Sequence, residues 1–254
     1  MRVTVCQLSD ERGELESGWR ALCDHAVSRK SDLVLLPEMP FSTWFGTERS
    51  FNADTWSDAV RQHREWKARL AELSPATAIC TEPATVGGRR LNVAYAWRAG
   101  QTTPLHQKRY LPNEGGFWEA SWYEAGDGVF ELSTQAGASI GVQICTEIWW
   151  LDRSRQYGQG GADLLVVPRA TPASSRERWL IAGRAAAIVA GAWCLSSNRS
   201  GRSPAGFQFA GTGWIIDPDG EILALTSDTQ PFVTADIDLS RARQAKSTYP
   251  RYVS

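Results

Sequence analysis

The chain has 254 residues, with Lys+Arg 27 against Asp+Glu 28, a formal net charge of −1. Hydrophobic residues make up 43% and charged residues 22%, ordinary globular values that argue against wholesale disorder, and a near-neutral balance without basic runs argues against a dedicated nucleic-acid binder. A chain of this length buries roughly 70–75% of the surface its unfolded form exposes, so one domain over 1–254 is expected, with no need of disulfides or a structural metal.

Short apolar runs alternate with helical patterns along the chain. Residues 3–8 (VTVCQL) read as a first strand, and 14–29 carry apolar side chains at close to helical spacing. Residues 32–38 (DLVLLPE) read as a buried strand stopped by Pro37, and 55–72 as a helix. Residues 76–80 and 91–97 read as strands flanking a Gly87-Gly88 turn. The polar and aromatic segment 100–128 shows no clear period, and unpatterned segments of that length inside a compact domain are often functional.

A strand is expected over 139–145, ending at Cys145, then a helix over 150–160 and a buried strand over 163–169. Residues 174–190 predict a helix rich in Ala and Arg. Strands follow at 192–198, within 211–226 around an Asp219-Gly220 hairpin turn, and at 232–238. The tail 239–254 has little core pattern. One internal echo links SDLVLLPEMPFS (31–42) with ADLLVVPRATPAS (162–174), each following a helix and ending in Pro plus a charged residue. Two such units predict two similar α/β halves. Continuous apolar strands need cover on both faces, which an αββα sandwich provides, with two stacked sheets and helices outside.

Five cysteines (Cys6, Cys23, Cys80, Cys145, Cys194) show no CxxC spacing, and the chain has only three histidines. A Cys/His zinc site and a disulfide framework are therefore not expected. The N-terminus turns polar before a signal-peptide core forms, and no apolar run reaches membrane-spanning length. Reduced thiols in a cytoplasmic protein are the expectation. Trp is over-used, at 12 residues; each is a core residue by default, but together they suggest flat, rigid walls for a pocket or interface.

Cys145 is the sharpest chemical candidate, because it ends a buried strand before a helix-forming stretch and so places its sulfur near a helix N-terminus, which favours thiolate. Cys6, Cys80 and Cys194 inside strands and Cys23 on a helix read as buried apolar residues. Glu38 ends a buried strand directly after Pro37, where sites in α/β sheets gather. There it is a candidate general base or, equally, a loop acid. Lys108, in LHQKRYLPNEGGFWEASWYEAGDG, is surface decoration unless acids pair it in the interior, where it would stabilise an oxyanion. Glu119 is the acid flanked by Trp118 and Trp122, with Glu114 and Glu124 as competitors.

LLPEMPF around Glu38, HQKRYLPNEGGFWE around Lys108 and GVQICTE around Cys145 resemble the carbon–nitrogen hydrolase (nitrilase) superfamily, and the likeness extends to GWIIDPDGEIL. The resemblance implies an αββα sandwich and an amidase-type attack on a non-peptide C–N bond. In it Cys145 is the nucleophile, Glu38 the base, Lys108 the oxyanion lysine and Glu119 a second glutamate that fixes the lysine. The substrate would be a small amide or N-carbamoyl amine, with no cofactor, metal, nucleic acid or membrane. It also implies a homodimer or higher homo-oligomer with 239–254 at the interface.

The chain departs from the family pattern at Thr146-Glu147, where an aromatic and Asp are common, and at Ile148-Trp149-Trp150, where Phe-Pro-Glu is common. These positions are expected to line the pocket. Trp44, Trp118, Trp122, Trp149 and Trp150 all fall near the expected site. Members that cleave N-carbamoyl amino acids resemble one another in carrying arginines three and four residues past the nucleophile; Ile148 and Trp149 stand there. An uncharged substrate is the expectation, unless Arg169 or, second, Arg202 supplies a carboxylate clamp. The competing readings are a true nitrilase, a non-catalytic binding protein of the same fold, and a doubly wound nucleotide binder, which lacks its GxGxxG.

Overall fold

In the computed structural model, which describes residues 1–253, twelve strands form one mixed hydrogen-bonded network. The first strand, β1 (Arg2–Ser9), is its hinge. Its first half pairs in parallel with β2 (Leu33–Leu35), and its last residues, Gln7–Ser9, pair in parallel with β9 (Trp193–Ser200). On the β2 side follow β3 (Thr77–Val86), β4 (Arg89–Arg98) and β5 (Gln101–Gln107), the last two antiparallel. On the β9 side follow β8 (Leu164–Arg169), β7 (Ala138–Val142) and β6 (Ser133–Gln135). The hairpin of β10 (Trp214–Ile216) and β11 (Ile222–Leu225) adds to β9, and β12 (Phe232–Asp236) pairs with β1.

Period-two alternation sorts the strand side chains. Val34, Leu36, Ala78 and Cys80 pack with Leu15, Trp19, Leu22 and Ala26 of helix α1 (Arg12–Ser28). Their neighbours Val3, Val5, Leu33, Leu35 and Ile79 point the other way, into the cluster that holds Ile140, Val142, Leu164 and Leu195. The apolar positions of α1 recur at helical spacing and form one stripe. Helix α2 (Ala53–Lys67) starts where the Asn52 side chain accepts the Thr55 N–H at 2.9 Å.

The unpatterned segment 100–128 contains β5 and a one-turn helix α3 (Glu119–Trp122). Strand β5 escaped the sequence reading because it is an edge strand, exposed from Gln101 to Pro104. It needs no apolar alternation. The strand expected to end at Cys145 stops at Val142, and Cys145 opens a 3-10 turn, Cys145–Trp149, that leads into α4 (Leu151–Gln159).

The tail is less bare than its pattern suggests. It forms α6 (Leu239–Ala245), which buries Ala242 and Ala245. Lys246 Nζ donates to the carbonyls of Ala162, Ala190 and Gly191 at 2.7–2.8 Å, tying the tail to the start of β8 and the end of α5 (Arg176–Ala190).

Helices α4 and α5 meet at Gly158, where an added Cβ would stand 2.4 Å from the Ala190 carbonyl oxygen. That contact seats the helix running on from the Cys145 turn. Gly158→Ala is expected to lower stability by about 1–3 kcal/mol through overpacking. Chemical denaturation checks this; an unchanged midpoint would mean that the two helices separate freely.

Candidate active site

The two echoed strands end at the same place. Glu38 N–H donates to the Arg169 carbonyl at 3.2 Å, so the loop after β2 meets the end of β8. The turn after β7 brings Cys145 to the same edge, with its Sγ 3.9 Å from the Ala170 carbonyl. Acid and thiol thus both lie beyond the carboxyl ends of parallel strands. Met39 and Cys145, beside the acid and at the thiol, hold φ of 45° and 51°. Non-glycine residues keep such left-handed backbone only where the surroundings impose it, at about 1–3 kcal/mol each.

Arg199 on β9 is what holds the Glu38 loop. Its guanidinium donates to the carbonyls of Glu38, Met39 and Ser42 and pairs with Asp10. Asp10 in turn accepts the Trp44 N–H at 3.0 Å.

Lys108 follows β5 and sits between two acids. Its Nζ lies 2.8 Å from Glu38 Oε1 and 2.6 Å from Glu119 Oε2, and all three side chains are fully buried. Asn92 on β4 adds a 2.8 Å hydrogen bond to Glu38 Oε1. Among the described residues, Glu38 Oε2 and Glu119 Oε1 have no hydrogen-bond partner. Burial works against the Lys108 ammonium, but the charges of Glu119 and Glu38 outweigh it and hold its pKa above the ordinary lysine value. For Glu119 burial dominates and pushes the carboxyl up to about 7, with Lys108 opposing and Glu38 adding to the rise.

Cys145 is 2% exposed. Burial, then the negative charge of Glu38, push its thiol well above the ordinary cysteine range, against a smaller opposing pull from Lys108. The expected thiolate is therefore corrected: no long helix starts at the sulfur, and two carboxylates act on it. In this arrangement the thiol keeps its proton until a neighbouring base takes it.

Glu147 was expected in the pocket but turns inward. Its Oε2 accepts from Ile144 N at 2.8 Å and binds His106 Nε2 at 2.7 Å, while Oε1 accepts from Arg109 N at 2.7 Å. One buried carboxylate thereby ties the Cys145 turn to the His106 ring and the Arg109 backbone, on either side of Lys108. Ile148 is buried too, and Trp150 stacks on Tyr110 at 3.9 Å.

Cys145 borders a cleft of about 340 Å³ walled by Pro112, Phe117, Trp149, Pro172 and Trp179. Of the residues expected in the pocket, Thr146 and Trp149 line it. Trp44 is buried against Phe45 and Phe117 and bonds Gly116 O, and Trp118 lies under Arg49. Arg169 is corrected as well. Its guanidinium donates to Ser196 Oγ, Thr171 Oγ1 and the Thr212 carbonyl, 3.8 Å over the Trp214 ring, and does not line the cleft. Arg202 bonds Gly206 O away from the cleft. The arginine that does border the cleft is Arg178 on α5, which the sequence offered only as one charge on an Ala/Arg-rich helix. Among the described residues no group of three or more His, Cys, Asp or Glu has the placement to hold a metal ion, and no helix is long and apolar enough to cross a membrane.

Residues 2–247 match the family model for carbon–nitrogen hydrolases. The chain belongs to the carbon–nitrogen hydrolase family. It is 26% identical over 272 residues to a chloroplastic omega-amidase of Arabidopsis thaliana, covering 98% of this chain and 70% of that protein. It is 28% identical over 167 residues to an N-carbamoylputrescine amidase of the same plant, covering 59% of this chain and 55% of that one. Among solved structures, a carbon–nitrogen hydrolase from Helicobacter pylori G27 superposes with a TM-score of 0.88 at 22% identity, covering 99% of this chain and 94% of that chain. As a member of this family the protein is a C–N hydrolase.

The Glu119 carboxyl gives a pH prediction whose sign runs opposite to that of a salt-bridged surface acid. Its folded-state pKa is raised, so between about 4.5 and about 7 the folded state binds more protons than the unfolded chain. Its contribution is fully present below that window and lost as pH rises through it. The stability of the wild type relative to Glu119→Gln is therefore expected to fall from pH 4.5 to 7. Urea titrations of both proteins across that range check this, and a pH-independent difference would refute it.

Proposed function

We propose that this hydrolase cleaves the C–N bond of a small non-peptide amide or N-carbamoyl amine through a thioester on Cys145. The observation that carries the reading is the dry Glu38–Lys108–Glu119 triad, with both acids within 2.8 Å of the lysine, behind a cleft bordered by Cys145. Glu38 takes the thiol proton as the sulfur attacks the carbonyl carbon. The C–S bond forms and the carbonyl electron pair moves to oxygen, where Lys108 and a backbone N–H after Cys145 hold the negative charge. The pair returns, the C–N bond breaks, and the amine or ammonia leaves with the proton from Glu38. Glu38 then deprotonates water, which attacks the thioester and frees the acid and the thiol. Glu119 fixes Lys108 throughout. A nitrilase route would use the same nucleophile, but relatives named as amidases support the amide reading.

Cys145→Ala is expected to abolish turnover with the fold kept, and intact-protein mass spectrometry of a slow substrate to show an acyl adduct at Cys145. Lys108→Ala is expected to lose ~10²–10³ in rate, the usual cost of one oxyanion donor, while EDTA changes nothing. Full activity in Cys145→Ala, or activity lost to EDTA and restored by zinc, would sink this mechanism.

We also propose a single-domain chain with αββα layering, supported by α1 on one face of β1–β3 and by the shared cluster on the other. Pairing as a homodimer is supported by Ile181, Tyr249 and Tyr252, which are 64%, 75% and 63% exposed on α5 and the tail. Light scattering at micromolar concentration is expected to give twice the chain mass; an active monomer would count against it.

A further inference from the structure

The cleft at Cys145 carries two ionisable side chains besides the thiol itself, Glu114 and Arg178. Glu114 comes from the loop after Lys108 and Arg178 from the first turn of α5. Both are exposed, and neither is in an ion pair or a side-chain hydrogen bond among the described residues. They do not pair with each other, so the cleft holds opposite charges that stand apart. Its remaining walls are mostly apolar and aromatic, with the hydroxyl-bearing Thr146, Ser174 and Ser175 between them. Exposure rises from 2% at Cys145 through 9% at Trp179 to 44% at Trp149, which sets the thiol at the floor and leaves the rim wet.

A ligand filling this space meets an apolar middle and a rim that offers one anion and one cation. An uncharged acyl chain would leave both rim charges unused. An acid alone would satisfy Arg178 and place a carboxylate near Glu114; an amine alone would do the reverse. The expectation of an uncharged substrate rested on Ile148 and Trp149 occupying the arginine positions. Helix α5 brings Arg178 to the same cleft from elsewhere in the chain.

We propose that the substrate class is the ω-amide of an α-amino acid, with its carboxylate on Arg178, its ammonium on Glu114, its methylenes between Trp149 and Trp179, and its terminal amide at Cys145. This rests on the amidase reading above and names the substrate of that site. Hydrolysis takes water and yields the ω-carboxylate and ammonia, with no redox partner. Guanidinium–carboxylate recognition is directional and bidentate, so Arg178 sets specificity and Glu114 adds to it.

The test is a set of five-carbon amides at nearly constant length: glutamine with both charges, glutaric acid monoamide with the acid only, 4-aminopentanamide with the amine only, and pentanamide with neither. Ammonia release gives kcat/KM for each. Glutamine is expected to lead. In Arg178→Ala the ratio of glutamine to 4-aminopentanamide is expected to fall about tenfold or more, the scale of one charged hydrogen bond, and Arg178→Lys to restore part of it. In Glu114→Gln the ratio of glutamine to glutaric acid monoamide is expected to fall in the same way. Pentanamide matching glutamine, or ratios that do not move in either variant, would overturn the assignment while leaving the amidase reading intact. If none of the four amides, nor a wider amide panel, releases ammonia or acylates Cys145, the amidase reading fails and this inference falls with it.

Discussion

Two carboxylates and one ammonium are held entirely out of water around Lys108, and most of the architecture follows from that cluster. Moving such groups from water costs several kcal/mol per ion, which their attraction offsets only when geometry is good and further hydrogen bonds are made. Each member comes from a different part of the chain. Glu38 follows β2, Lys108 follows β5 and Glu119 opens α3, with Asn92 on β4 as a fourth contact. The backbone is fixed at the same points, since Lys108 N–H donates to Asn92 O at 2.9 Å and Gly126 N–H to Lys108 O at 2.8 Å. Behind the acids, Trp56, Trp122, Tyr123 and Phe45 form an aromatic cluster that keeps water away. Taking away one charge would strand the others in that dry space, so the site and the fold are mutually dependent.

A second set of ties fixes the segments that carry the acid and the thiol. Arg199 gathers three carbonyls of the Glu38 loop, and Glu147 gathers the Cys145 turn and the Lys108 segment. Neither residue borders the cleft. Both act by satisfying backbone groups that a left-handed turn or a chain reversal would otherwise leave unpaired. The unusual backbone at Met39 and Cys145 is thereby held by hydrogen bonds made elsewhere.

What the sequence disclosed follows the same physics. Buried strands such as β2 and β8 are apolar runs, and β1 is apolar apart from Thr4 and Gln7 in its middle, so they were legible; the exposed edge strand β5 and the short β6 carried no such pattern. The meeting of Glu38, Lys108 and Glu119 was expected only through the resemblance of their motifs to the family's, since each residue alone reads equally as a loop or surface group. Glu147 faces the interior because a side chain beside Cys145 turns inward or outward according to one backbone turn, and Trp44 packs on Phe45 and Phe117 instead of the cleft. Arg169 misled for a related reason: its partners Ser196 and Thr212 lie far along the chain. Arg178 went unnoticed because an arginine on a helix reads as solvated until a neighbouring loop builds a wall opposite it.

The protonated thiol closes the physical argument. Burial pushes the Glu119 carboxyl up to about 7, while the neighbouring acids hold the Lys108 ammonium above the ordinary lysine range. A resting thiolate would add a second anion beside Glu38 with no solvent to screen it, and burial together with that charge holds the thiol protonated. The proposed nucleophile therefore becomes anionic only as a substrate carbonyl arrives to receive the electrons. In the proposed mechanism negative charge then moves from sulfur to the substrate oxygen, and the proton passes to Glu38, whose Oε2 has no hydrogen-bond partner among the described residues. The site creates no lasting new charge in its interior, and a cysteine kept neutral between turnovers is also one that resists adventitious alkylation and oxidation.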